Sequence, residues 1–319
     1  MDARDEWKCT VVARQDASKE QALSEGAAFV DGTYVPIGEA RLPLLDWGFT
    51  RSDVTYDVVH VWKGSFFRLD DHLDRFHRSC ERLRLDTGHG REEMRAILMS
   101  CVRLSALRDA YVEMICTRGV PAPGSRDPRL CRNNFFAFAI PFVWIVSPQR
   151  QKEGAHLIVT EVPRISPASV DPTVKNFHWG DLTRALFQAF ERGGETAVLV
   201  DNDGFVSEGP GFNIFCVRQG RITTPHGTVL EGITRKSVRE LCEELDLPFA
   251  LDAITPEALR DADEIFISST AGGVMPVTRI DERFLGNGRP GPITSQIKDL
   301  YWRKHEQGWH ATPVDYEAP

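Results

Sequence analysis

Apolar positions along the chain recur with two periods, and the switches between them predict the elements. Ala28-Phe29-Val30-Asp31-Gly32-Thr33-Tyr34-Val35 reads as a hairpin with Asp-Gly at its turn. A second hairpin runs from Val58 to Trp62, turns at Lys63-Gly64 and returns through Phe66-Phe67-Arg68-Leu69. Leu69, Leu73, Phe76, Cys80 and Leu83 then fall at helical spacing, an apolar stripe that predicts a buried helix face. A further helix is expected over Glu92 to Leu104 and an alternating strand over Tyr111 to Thr117. Gly119 to Arg132 reads as a long Pro/Gly loop, and loops of that length tend to be functional or mobile. The most apolar stretch, Phe135 to Val146, is short and contains Pro141, so it reads as a buried strand running into a crossover.

The polar segment from Ile145 to Gly154 looks like a connection between two halves. The expected division is 1–144 as a small N-terminal domain with an arm, 145–154 as the connection and 155–319 as a large domain. Residues 1 to about 25 are polar and are expected to wrap a neighbour or stay loose. In the second half, a strand is expected at His156 to Thr160 and a helix at Leu182 to Glu191. Hairpins are expected at Ala197–Val200 with Gly204–Ser207, and at Phe212–Val217 with Ile222–Thr224. Helices at Val238 to Leu245 and Ser295 to His305 flank a strand at Glu264 to Ser268. Hairpins mixed with helices point to α+β rather than a βαβ series.

The net charge of −8 and the scattered basic residues argue against nucleic acid as the main partner. Seven cysteines form no C-x-x-C pair, and their number is odd. This reads as reduced thiols in a cytoplasmic protein, with neither a disulfide frame nor a metal site. The N-terminus has no apolar core of a signal peptide, and no apolar run approaches bilayer length, so no membrane partner is expected.

Lys175 stands in D-P-T-V-K-N-F-H-W beside a short apolar run. A lysine that forms a Schiff base needs a site that lowers the cost of its neutral amine. Later in the chain Glu208 opens E-G-P-G-F-N. A pyridoxal ring needs a carboxylate at its nitrogen to stay protonated and act as an electron sink. Lys175 and Glu208 are candidates for those two jobs. Leu230-Glu231-Gly232-Ile233-Thr234-Arg235 is a tight turn opening a helix, whose unpaired first amides suit a phosphate. An ordinary capped helix gives the same pattern. Ser269-Thr270-Ala271-Gly272-Gly273 offers two hydroxyls and more free amides after a strand. Arg75 lies close to the apolar stripe of its helix and could clamp a phosphate, or pair at the surface with Asp71 or Asp74. No G-x-G-x-x-G, G-K-[ST] or G-x-S-x-G stands in the right context, which leaves little for nucleotide or serine-hydrolase readings.

In order, Arg75, Lys175, E-G-x-x-x-N at Glu208 to Asn213, L-x-G-I-T-R at Leu230 to Arg235 and S-T-A-G-G at Ser269 resemble the fold type IV pyridoxal-phosphate aminotransferases. The likeness spans nearly the whole chain. That group holds branched-chain and D-amino-acid aminotransferases, aminodeoxychorismate lyase and the (R)-selective amine transaminases. S-D-V-T-Y-D-V at Ser52, F-F-R-L-D-D-H at Phe66 and the Lys175 and Glu208 segments look most like the last of these. Branched-chain enzymes typically carry Y-x-R where this chain has Tyr111-Val112-Glu113, and a tyrosine where it has Gly180. Some members of the amine subgroup have histidine at Arg51 and arginine at Gly124; here Arg126 lies two residues on.

The resemblance implies a small N-terminal domain and a larger domain with a barrel-like sheet. It implies pyridoxal 5'-phosphate as cofactor, held on Lys175, which also moves the substrate proton. Arg75, Ile233, Thr234, Ser269 and Thr270 would hold the phosphate, and Glu208 the ring nitrogen. Arg51, Tyr56, Val58, Tyr111, Glu113, Arg126, Ile145, Trp179 and Ala271 would line the substrate pocket. Arg126 is expected to swing in or out, so that one pocket takes a carboxylate or a bulky apolar group. The implied partners are an amine donor and a 2-oxo acid acceptor such as pyruvate. A homodimer is implied, with Arg51 and the 119–132 loop near its boundary. A D-amino-acid or branched-chain aminotransferase and an aminodeoxychorismate lyase-like enzyme remain alternatives.

Overall fold

The structure, a computed structural model, describes residues 23–318. The expected N-terminal arm therefore lies almost wholly outside the described residues. In chain order the first half runs β1 (Ala27–Val30), β2 (Thr33–Pro36), α1 (Trp47–Arg51), β3 (Val54–Trp62), β4 (Ser65–Phe67), α2 (Leu69–Leu83), α3 (Arg91–Ser105), β5 (Ala110–Pro121) and β6 (Cys131–Pro141). It continues with α4 (Arg150–Glu153), β7 (Ala155–Pro163), α5 (Gly180–Glu191), β8 (Thr196–Val200), β9 (Asn213–Arg218), β10 (Arg221–Thr224), α6 (Ile233–Glu244) and β11 (Phe249–Leu251). The last elements are α7 (Pro256–Arg260), β12 (Glu264–Ser269), β13 (Gly273–Ile280), β14 (Arg283–Phe284), α8 (Pro292–Glu306) and β15 (Ala311–Pro313).

Two sheets result. The first has the order β15-β4-β3-β5-β6-β1-β2, the second β11-β10-β9-β12-β13-β7-β8. The first is antiparallel throughout. Its two expected hairpins form as read, with positive φ at Asp31-Gly32 and Lys63-Gly64. The expected stripe is the buried face of α2: Leu69, Leu73 and Phe76 are fully buried against Val59, Val61 and Met114. Truncating Phe76 to alanine there would cost roughly 3–5 kcal/mol. Residues 311–313 return to the first sheet by pairing with β4, so the expected large domain of 155–319 is not confined to one sheet.

The second sheet is mixed. β7–β8, β13–β7 and β10–β11 are parallel, and β9–β10, β9–β12 and β12–β13 antiparallel. Helix α5 covers β7 and β8 with Leu182, Ala185 and Ala189. The expected 197–207 hairpin is only partial. Ser207 N donates to Leu199 O at 2.8 Å and Leu199 N to Glu208 O at 3.1 Å, but β8 takes β7 as its regular partner. The 119–132 loop is shorter than expected. β5 runs on to Pro121 through a bulge at Gly119, where a Cβ would fall 1.6 Å from Arg132 O.

Candidate active site

The segment that carries Lys175 docks on the edge of β3. The Lys175 carbonyl accepts from Tyr56 N at 3.1 Å and from Thr55 Oγ1 at 2.7 Å. The Lys175 amine lies 4.4 Å from the centre of the Tyr56 ring, which packs on Phe177 at 4.5 Å. Tyr56 and Val58 share one face of β3. Tyr111 and Glu113 come onto the same face through the β3–β5 register, Val58 opposite Glu113. The lysine thus enters a cavity of about 450 Å³ between the two sheets.

Glu208 follows β8 and is buried. Its Oε1 accepts from Arg164 Nε at 3.2 Å, and its Oε2 from Leu230 N at 3.1 Å. Burial pushes its carboxyl up from the ordinary value, against the pull of Arg164 and, more weakly, Lys175. Glu113 is also buried and is pushed up to about 7 by that burial, although Tyr111 Oη donates to it at 3.1 Å and Lys175 attracts its charged form.

At the phosphate candidates, Arg75 donates through Nε and Nη2 to Asp57 at 2.7 and 2.8 Å and through Nη1 to Glu231 O at 3.0 Å. Three of its five N–H donors are used, which leaves one on each terminal nitrogen. Asp57 is fully buried; burial works to raise its carboxyl, but Arg75 and His72 hold it well below the usual range. Gly232 precedes α6 and no side chain caps the helix. A Cβ at Gly232 would fall 2.1 Å from Asn213 Oδ1, so only glycine fits beside the uncapped amides of Ile233 and Thr234, which line the cavity. The residues present fit a pyridoxal phosphate. A guanidinium, an open helix N-terminus and the Ser268 and Thr270 hydroxyls suit the phosphate, an amine suits the aldehyde and a buried carboxyl suits the ring nitrogen.

The structure brings Arg75, Lys175, Glu208, Ile233, Thr234, Ser269, Thr270, Tyr56, Val58, Tyr111, Ile145, Trp179 and Ala271 to this one cavity. Glu113 is behind the wall, held by Tyr111. Arg51 and Arg126, expected near a subunit boundary, are both exposed and do not line the cavity of the single chain. Arg51 stacks on Trp47, its Cζ 3.4 Å from a ring centre, and Arg126 sits in the solvent-facing 122–130 loop. The Ser269 hydroxyl is also less free than its sequence suggests. It donates to Gly211 O at 2.8 Å and accepts from Ala271 N. Ser268, passed over in the sequence, has a buried hydroxyl with no partner and lines the cavity. Arg164, Val143, Leu186 and Phe190 were also missed. Only Ser268 carried a local signal, as the first residue of S-S-T-A-G-G.

The chain matches the family model for amino-transferase class IV over residues 55–280. It is 33% identical over 276 residues to a putative branched-chain-amino-acid aminotransferase of Methanocaldococcus jannaschii, covering 86% of this chain and 94% of that one. To D-alanine aminotransferase of Bacillus licheniformis it is 30% identical over 274 residues, covering 84% and 93%. The structure is similar to the branched-chain aminotransferase of Thermoproteus uzoniensis with norvaline, with a TM-score of 0.82 at 30% identity, over 91% of this chain and 99% of the other. The branched-chain amino acid aminotransferase of Thermobaculum terrenum in its PLP form gives a TM-score of 0.79 at 25% identity, over 91% and 98%. The α+β architecture with its curled second sheet is the one these enzymes share. The protein therefore belongs to the class IV aminotransferases and is a transaminase that uses pyridoxal 5'-phosphate.

Proposed function

We propose that the protein moves an amino group from a primary amine of (R) configuration to a 2-oxo acid such as pyruvate, with Lys175 as the residue that carries the cofactor. The observation behind this choice is the state of the cavity's guanidiniums. Arg75 is engaged by Asp57, and Arg164 by Glu208 and Asp181. The residue opposite Val58 is an acid, Glu113. A donor with an α-carboxylate finds no free guanidinium there, whereas an apolar amine finds Tyr56, Val58, Val143, Ile145 and Trp179.

Bound pyridoxal phosphate supplies the electron sink that makes the substrate's amine-bearing carbon acidic. The protein's part is positional and acid–base. Arg75, the amides of Ile233 and Thr234, and Thr270 would hold the phosphate. Glu208 would receive the ring nitrogen's hydrogen. The Lys175 amine takes the proton from the substrate carbon and returns it on the other side of the transfer. We also infer a homodimer and a cytoplasmic setting. Leu42, Leu44, Leu45 and Phe49 are 51–77% exposed around α1, and such a patch favours burial against a second copy. In that arrangement the partner's 122–130 loop could bring an Arg126 to the acceptor carboxylate. The six cysteines among the described residues are unpaired, which suits a reducing compartment.

A donor panel tests the reading. (R)-1-phenylethylamine with pyruvate should outpace its (S)-enantiomer, D-alanine and L-leucine, the two amino acids being offered with 2-oxoglutarate. Faster D-alanine or L-leucine would favour the second reading, a D-amino-acid or branched-chain aminotransferase, which the names of the relatives support. Arg126→Ala should impair the pyruvate half-reaction; an unchanged rate would remove Arg126 from the site. Borohydride should trap the cofactor on Lys175, and an untrapped chromophore would overturn the assignment of that lysine.

A further inference from the structure

Arg164 lies one residue beyond β7, where its backbone N donates to Val200 O at 2.7 Å. The residue is 8% exposed and lines the cavity. The guanidinium spans two carboxylates: Nε reaches Glu208 Oε1 at 3.2 Å and Nη1 reaches Asp181 Oδ2 at 2.6 Å. Asp181 is itself fixed in the first turn of α5. Its Oδ2 also accepts from Ile165 N at 2.7 Å, and its Oδ1 from Leu182 N at 2.8 Å. An aspartate with this many fixed donors is a rigid brace, and the arginine fork transmits that rigidity to Glu208.

The chemistry depends on which form Glu208 takes. A carboxylate offers only acceptors, so it can receive an N–H from a pyridine ring. A protonated carboxyl carries a hydrogen of its own and can turn donor, which leaves the ring nitrogen without its proton. Glu208 is buried, and burial favours the protonated form; Arg164 is the strongest influence against it. We propose that Arg164, braced by Asp181, is a positioning residue that fixes Glu208 as the carboxylate acceptor for the cofactor's ring nitrogen. This rests on the reading that Glu208 faces that nitrogen. Arg164 does not touch the reacting atoms; it acts through Glu208. An ion pair that only stabilised the fold would change melting and leave the electronic state of the bound cofactor unchanged.

The test uses the full-length holoenzyme and follows the absorbance of the bound cofactor from pH 5 to 10 in Arg164→Gln, Arg164→Lys, Asp181→Asn and Glu208→Gln. Arg164→Gln is expected to move the spectral midpoint by at least one pH unit and to lower kcat more than tenfold, with a smaller change in KM. Arg164→Lys keeps the charge and should restore most of the spectrum. Asp181→Asn should shift it in the same direction by less. If the Arg164→Gln titration superimposes on wild type while Glu208→Gln shifts, the inference is overturned and the Glu208 assignment stands. If Glu208→Gln is also silent, the assignment falls and takes the inference with it. Should Arg164→Gln fail to fold, Asp181→Asn decides: a shift supports the brace, and a superimposed curve overturns it.

Discussion

Glu113→Gln is the perturbation with the clearest sign. Glu113 is 7% exposed, and burial pushes its carboxyl from 4.5 up to about 7. An acid whose value is raised in the folded state holds a proton that the unfolded chain has already released. Its contribution to stability is complete below pH 4.5 and is lost as pH rises through about 7. At about 1.4 kcal/mol per unit, a rise of roughly two and a half units corresponds to on the order of 3 kcal/mol lost by the wild type across that interval. Glutamine keeps the oxygen that accepts from Tyr111 Oη and cannot ionise. Glu113→Gln should therefore match wild type near pH 4.5 and exceed it by up to about 3 kcal/mol at pH 8.5. The measurement is urea denaturation at several pH values on both proteins, without and with cofactor. The same change should help donors that carry a carboxylate. Above pH 7 the KM for D-alanine should fall by roughly tenfold, worth about 1.4 kcal/mol, with little change for 1-phenylethylamine. Parallel stability curves for the two proteins from pH 4.5 to 8.5 would refute the reasoning, because Glu113 would then be ionised in the folded state throughout.

Three further perturbations probe the frame around the cavity. Asp57→Asn leaves Arg75 and His72 buried without their anion and should destabilise by about 3–5 kcal/mol in denaturant melts, with weaker cofactor binding. Gly232→Ala should reduce pyridoxal phosphate affinity at least about tenfold in fluorescence titration, since its Cβ displaces Asn213 at the mouth of α6. His305 is lowered to about 4 by burial, only partly offset by its bond to Tyr301 O; a base depressed in this way loses stability as pH falls from 6.5 toward 4. His305→Gln should therefore flatten the acid limb of the stability curve by on the order of 3 kcal/mol relative to wild type, and an unchanged limb would count against a buried neutral His305.

What could be read from the sequence was what is set locally. The β1–β2 and β3–β4 hairpins follow from two-residue turns, and α2 from a stripe whose members lie within one helix. The parallel pairs of β7 with β8 and β13 were not legible. Their strands are buried on both faces and lack the alternation that marks a half-exposed strand. The same division holds for chemistry. Lys175, Glu208 and Arg75 stood out by residue type and order, but their partners could not. Asp57 lies 18 residues from Arg75, and Arg164 lies 44 from Glu208. Arg51, expected near a subunit boundary, stacks on Trp47 in the single chain.

Those partners change the electrostatics of the site more than the named residues do. Counted from the sequence candidates alone, Arg75, Arg126, Arg51 and Lys175 outnumber Glu208 and Glu113. In the single chain, Arg51 and Arg126 lie outside the cavity, and Arg75 has Asp57 as its counter-ion. Arg164 enters, already shared between Glu208 and Asp181. Lys175, Arg75 and Arg164 then stand against Asp57, Asp181 and Glu208, and the formal charges cancel before any ligand is bound. Glu195 at the lining is paired with Arg150, and Glu113, behind the wall, has its carboxyl pushed up to about 7 by burial. The proton on Glu113, which burial favours and the Tyr111 hydroxyl opposes, therefore bears on the charge next to the substrate side. A change in preference between amines and amino acids should accordingly be reached most directly by altering Glu113 or its contact with Tyr111, with the cofactor-holding residues left intact.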